Sequence, residues 1–470
     1  MAEHTKQGLP SGVEPQAIVP VTRRPEATNA LVAPRPEAPA RRPQRFWPSQ
    51  PRSLDETGLS LSLVEELVLK ALFFAGELRG VDLAHRLKLP FSHLEGVLEG
   101  LRQQKAIDIR ASPGPVTSKA PAPPAISTTT AWQLTPSASD RVRQILERSR
   151  YNGPAPVPIQ EWILAVQKQT LRGQRITRQR LQERLGDLIL RDSLFSELGP
   201  AMSSGRSVLL YGPPGNGKTA LCQRMVHCFE SDIFIPYALL VDDCIIRLFD
   251  AVLHKPLPGE PGAPAYDRRW VRCQRPLITV GAELTLGMLE LGASPEGRAY
   301  DAPLQMKAAN GMLLMDDFGR QKVSPQELFN RWSLPLESDV DTLTLHTGKR
   351  LQVPCDVFAV FATNLPPGTI VDDAFLRRIR YKVEVAPPDA ALFHRLFQTC
   401  CEKRGVPYEA AQVQYLIDAH YAPYHRPFAA CQPRDLLEQI LDLANYHGIP
   451  PVLSRALIDA AAKSYFLRFE

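Results

Sequence analysis

This sequence predicts an α/β fold built on a parallel sheet, with a smaller α+β region before it and a helical region after it. Three observations lead there. Short apolar runs alternate with helix-period segments from about residue 177 to 388. One run, Val208-Leu209-Leu210-Tyr211, enters the turn Gly212-Pro213-Pro214-Gly215-Asn216-Gly217-Lys218-Thr219 and then a helix to about Phe229. Two later runs end in Asp316-Asp317 and Thr363-Asn364, at strand ends where ligands collect in open α/β sheets.

At 470 residues the chain is too long for one core, so two or three domains are expected. Residues 1–52 contain ten prolines, and eight basic residues outnumber four acidic ones. Such a segment buries too little surface to fold and reads as a disordered, weakly basic tail. Residues 53–150 read as a small domain. Leu63, Val64, Leu67, Val68, Ala71 and Leu72 recur at helical spacing. A second helix is expected at Val81–Leu87 and a third from Pro90 to about Gln104. Ile107–Ile109 and Trp132–Leu134 read as strands around a Pro/Ser/Thr-rich stretch at 112–130, and a helix follows at about 137–149. This order resembles a winged-helix domain with a long wing. Its third helix carries Glu95 and Glu99, and residues 53–111 hold nine acids against seven bases. Release of counterions from phosphate needs the opposite balance, so protein docking is favoured over DNA. Residues 151–176 read as a basic linker, and the arginines of 168–184 as a solvated face. Arg268, Arg269, Arg272 and Arg275 read as a surface cluster.

The turn after Tyr211 has the G-x-x-x-x-G-K-T spacing that cradles phosphate. Glycine lets backbone N–H groups face phosphate oxygens where a Cβ would obstruct them. Residues Gly212 to Ala220 therefore form the candidate nucleotide site, at the N-terminus of a helix. Lys218 is placed for the β- and γ-phosphates, and Thr219 offers a hydroxyl to Mg²⁺. Met312-Leu313-Leu314-Met315 ends in Asp316, a candidate for holding Mg²⁺, and Asp317, a candidate for preparing the attacking water. Asn364 supplies an amide at the next strand end. Asp373–Ile379 reads as a helix end presenting Arg377 and Arg378, and Pro433 opens a helix with Arg434 in its first turn.

In this order the elements resemble the AAA+ ATPase superfamily over about 177–470. The resemblance implies Walker A at Lys218 and Thr219, Walker B at Asp316 and Asp317, and sensor 1 at Asn364. It also implies an arginine finger at Arg378 (Arg377 second) and sensor 2 at Arg434. Segments 389–404, 409–420, 433–446 and 452–468 look like its helical lid, which sets the expected boundaries at 177–388 for the nucleotide-binding domain and 389–470 for the lid. The alternating runs around Thr347-Gly348 read as a β-hairpin, similar to the pre-sensor-1 hairpin clade that includes MoxR-type chaperones. Helix 2 is expected at Glu283–Leu291, with an insertion nearby. The resemblance implies ATP and Mg²⁺ as cofactors, a homo-oligomeric ring (usually hexameric), and hydrolysis coupled to remodelling or assembly of a protein client. A nucleic-acid motor and a slow ATP-dependent assembly switch are the alternatives. The family's Asp-Glu is here Asp-Asp, one methylene shorter, which predicts slow turnover. No run is long and apolar enough for a membrane span, and eight scattered cysteines suit a reducing cytoplasm.

Overall fold

The computed structural model describes residues 46–110, 127–229, 232–293, 299–370 and 373–466. The expected tail therefore lies outside the described residues up to position 45, as does most of the long wing. From Phe46 the chain is already packed, earlier than the boundary at 53. Phe46 stands 5.5 Å from the Trp270 ring and Trp47 5.1 Å from that of Phe234. Burial of two aromatic rings holds this short stretch against the disorder its prolines favour.

Residues 61–148 form helices Leu61–Ala75, Gly80–Leu87, Phe91–Gln103 and Ala138–Arg148. They pack on a three-stranded antiparallel sheet in which Ala131–Leu134 lies between Glu77–Arg79 and Ile107–Ile109. The core is the apolar stripe read from the sequence, with Val64, Leu67, Leu94 and Leu98 buried around Trp132.

The predicted parallel sheet is present. Its strands are β1 (Val208–Tyr211), β2 (Leu277–Val280), β3 (Met312–Met315), β4 (Phe358–Thr363) and β5 (Tyr381–Glu384). They lie in the order β2-β3-β4-β1-β5 and every pair is parallel. All six residues of β4 are buried, as expected of a strand covered on two faces. The carboxyl ends of β1, β3 and β4 share one edge, so the phosphate loop, Asp316-Asp317 and Asn364 meet there.

A second layer is built from segments before β1, between β1 and β2, and between β2 and β3. Ala238–Val241 and Cys244–Arg247 pair antiparallel, with Ala299–Asp301 and Gly292–Ala293 on one side and Val157–Pro158 on the other. The expected 151–176 linker is thus folded: Val157–Pro158 is a strand, and helix Ile159–Lys168 buries Trp162, Ala165 and Val166. The expected helix 2 is absent. Only a 3₁₀ turn, Leu286–Leu289, forms there, because Thr285, Gly287 and Gly292 weaken helix propagation. Three of the four clustered arginines, Arg269, Arg272 and Arg275, are buried, while Arg268 is exposed as expected. Arg269 is 1% exposed, pairs with Asp267, and donates to the carbonyls of Thr57 and Pro156 at 2.8 and 3.1 Å. Arg272 pairs with Asp232 and Glu260. Arg275 donates to the carbonyls of Gln169 and Asn310, and burial pulls its pKa down to about 10. Each guanidinium crosslinks segments far apart in sequence.

The hairpin around Thr347-Gly348 pairs Val340–Thr344 with Arg350–Pro354. Its tip is tied to the inserted layer, since the His346 N–H donates to the Tyr300 hydroxyl at 2.9 Å and Lys349 pairs with Asp242. Helices Ala390–Arg404, Ala410–Leu416, Gln432–His447 and Arg455–Tyr465 form the carboxyl-terminal unit around Phe393, Phe397 and Leu437. No helix among the described residues is long and apolar enough to cross a membrane.

Candidate functional site

The phosphate loop turns through left-handed backbone at Gly212, Gly215 and Gly217, with φ of 136°, 78° and 79°. Gly212 has a second requirement. A Cβ there would stand 2.5 Å from the Val385 carbonyl oxygen. The helix Lys218–Met225 starts at the loop, so its first N–H groups face the cradle. Lys218 is 7% exposed, and its ammonium donates to the carbonyls of Gly212 and Pro213 at 2.8 and 2.9 Å. Burial lowers its pKa, while the nearby carboxylates of Asp316 and Asp317 raise it. Pro214 lies exposed on the loop, and Ala220 is half-buried in the first helical turn.

The Thr219 hydroxyl donates to Asp316 Oδ2 at 2.7 Å. A hydroxyl and a carboxylate side by side form the oxygen donor set a hard divalent cation takes, so these residues fit Mg²⁺. Asp317 follows with φ 47°, a left-handed conformation that Asp tolerates better than most side chains. Its Oδ1 accepts from the Asn364 amide at 3.0 Å. Phe318 anchors this corner: its ring packs 5.1 Å from Phe329 and 5.2 Å from Phe361, and its N–H donates to the Ala362 carbonyl at 2.7 Å.

Two further expected residues lie elsewhere. Arg434 sits one turn into the helix Gln432–His447, with its guanidinium on Asp435 at 2.7 Å. Arg378 lies at the amino-terminal edge of the sheet, just before β5, and pairs with Glu337 at 2.5 Å. With Arg206, Arg377 and Arg380 it lines a cavity of about 460 Å³. A four-residue strand spans roughly 13 Å. The length of β1 and β5 therefore separates these guanidinia from the loop of the same chain.

Sequence reasoning missed the seam between loop and helical unit. The Ala430 N–H donates to Asn216 Oδ1 at 3.0 Å, and the Cys431 N–H to the Gly215 carbonyl at 2.8 Å. No motif marks this contact, because its two sides lie 214 residues apart in the chain.

Comparison with known proteins adds three findings. Residues 389–464 match a family described as a domain of unknown function, DUF8689. The chain is 25% identical to spastin of Anopheles gambiae over 252 residues, which are 53% of this chain and 24% of that protein. It thus spans about a quarter of that relative, an AAA ATPase, and the likeness supports a relationship to the AAA+ ATPases. Among solved structures, the chain is similar to the Thermotoga maritima RuvB Holliday junction branch migration motor. That match has 11% identity and a TM-score of 0.36, over 61% of this chain and 73% of that one. It is also similar to NtrX from Brucella abortus, with 14% identity and a TM-score of 0.36 over 71% of this chain and 61% of that one.

Proposed function

We propose that this chain is an ATP-binding, Mg²⁺-dependent AAA+ ATPase that couples hydrolysis to remodelling or assembly of a protein client. One observation carries the reading: the Thr219–Asp316 and Asp317–Asn364 pairs lie beside the phosphate loop at one sheet edge. Lys218 and the loop N–H groups bind the phosphates. Thr219 and Asp316 would hold Mg²⁺, which neutralises phosphate charge when bound. Asp317 and Asn364 orient the attacking water. Arg378, at the opposite sheet edge, serves the nucleotide of a neighbouring protomer, so the working form is a closed ring, and a hexamer is the expected size. Arg434 reaches the protomer's own nucleotide from the helical unit (389–470), which acts as the lid. Residues 53–150, with their winged-helix-like order, recruit the client. The hairpin at 340–354 supports a place in the pre-sensor-1 hairpin clade. Asp317 is shorter than the family's glutamate, and this sets slow turnover, as an assembly switch requires.

ATP binding and single-turnover hydrolysis test this. Lys218→Ala abolishes binding, whereas Arg378→Ala spares binding and removes turnover. Tight ATP binding by Lys218→Ala would contradict the site. Parental turnover in Arg378→Ala would move the finger to Arg377.

A further inference from the structure

Two cavities adjoin where the amino-terminal domain meets the inserted sheet. One, of about 380 Å³, is lined by Phe74, Arg150, Tyr237, Arg247 and Phe249. The other, of about 570 Å³, is lined by Lys88, Phe91, Tyr266 and Arg268 among others. Lys88 joins them: it lines the second, and its ammonium lies 5.8 Å from the centre of the Tyr237 ring in the wall of the first. Tyr237 and Phe249 stand at 67° with centroids 5.2 Å apart, and Phe74 is 54% exposed.

Charge in this cleft has one sign left over. Asp301 is bound by Arg247 at 3.0 and 3.3 Å, Asp267 by the buried Arg269, and Glu260 by Arg272. Arg150 and Arg268 have no ion pair among the described residues. Burial, and after it the charge of Arg268, lower the Lys88 pKa. Lys88 is the left-handed C-cap of the helix Gly80–Leu87 (φ 59°), which fixes where its side chain leaves the helix. Cations with unopposed charge beside aromatic faces are the two components of a single-strand binding groove: one for phosphates, one for bases.

We propose that this cleft binds single-stranded nucleic acid, with bases stacked on Phe74, Tyr237 and Phe249 and phosphates held by Lys88, Arg150 and Arg268. The site is distinct from the third helix, whose acids argue against duplex DNA, and it does not depend on the ATPase reading. It draws on residues from 74 to 268, which only the fold brings together.

Fluorescence anisotropy of the full chain with a labelled oligothymidylate of about 20 nucleotides tests it. Binding is expected at low salt. With three cations engaged, log K should fall against log salt with a slope of about −2. Phe74→Ala is exposed enough to fold, and it weakens binding at least about fivefold through loss of one stacked base. Lys88→Ala and Arg150→Ala each flatten the salt slope by about 0.7. Unchanged melting of each variant separates lost contact from lost fold. Excess ATP leaves the strand bound. The proposal fails if no strand binds at low salt, or if all three variants bind like the parent. It also fails if ATP or polyglutamate displaces the strand, or if duplex binds as tightly.

Discussion

Among the described residues two hydrogen bonds join the phosphate loop to the helical unit, and Asn216→Ala cuts one of them. Asn216 is 6% exposed; its Oδ1 accepts from the Ala430 N–H at 3.0 Å, and its amide donates to the Pro213 carbonyl at 3.3 Å. Alanine leaves the Ala430 N–H without its acceptor, a loss of about 1–3 kcal/mol for a buried donor. Ala430 is only half-buried, so the lower half of that range applies, about 1–2 kcal/mol. The Cys431 N–H to Gly215 bond at 2.8 Å survives and keeps the seam in register. Opening of the seam should then become about 5- to 30-fold more frequent. Hydrogen exchange followed by mass spectrometry reads this at the start of the helix Gln432–His447, where faster exchange is expected while β4 stays protected. Exchange within twofold of the parent would refute the coupling role of Asn216, and equal acceleration in β4 would show global destabilisation instead.

Three further outcomes follow from the same geometry. Asp317→Glu lengthens the acid by one methylene; single-turnover hydrolysis should rise about tenfold or more, against about 1–2 kcal/mol of stability lost to its left-handed backbone, and unchanged turnover would remove Asp317 from the water-positioning role. In Gly215→Ala, the new Cβ falls 2.6 Å from Cys431 Sγ at φ 78°, so melting temperature and ATP affinity should both drop, and Cys431→Ala should restore part of the loss. His254 is fully buried with Nδ1 accepting from the Asp250 N–H and Nε2 donating to the Lys307 carbonyl, and burial holds its pKa below the ordinary 6.5. The folded chain therefore prefers the neutral ring, so this contribution to stability is full above pH 6.5 and is lost as pH falls below it. Urea midpoints on either side of that pH should show the loss in the parent and a smaller one in His254→Gln; equal losses would place the titration elsewhere.

Local signals were legible. The glycine spacing after Tyr211, the acids after Met315 and the Thr347-Gly348 turn each announce themselves within ten residues, because backbone conformation and strand ends act over that range. Non-local pairing was not. The inserted sheet joins Val157–Pro158 to Ala238–Val241 and Cys244–Arg247 to Ala299–Asp301, and no short pattern encodes those partners. Arg269, Arg272 and Arg275 look like surface charge in one dimension, since only folding supplies the carboxylates and carbonyls that allow their burial. For the candidate site, the residues of the loop and the two acid–polar strand ends were readable, whereas the Asn216–Ala430 seam and the Arg378–Glu337 pair depend on tertiary contacts.

A mixing experiment tests most directly whether ATP is cleaved by groups from two protomers. In the proposed arrangement Asp317→Asn would disable a protomer's own water site, and Arg378→Ala what it offers its neighbour. Each variant alone should be inactive. Mixed in equal amounts under conditions that reshuffle rings, they should recover roughly a quarter of parental turnover, the chance that an intact site meets an intact arginine. Silence in the mixture, or full activity of Arg378→Ala by itself, would contradict a shared site.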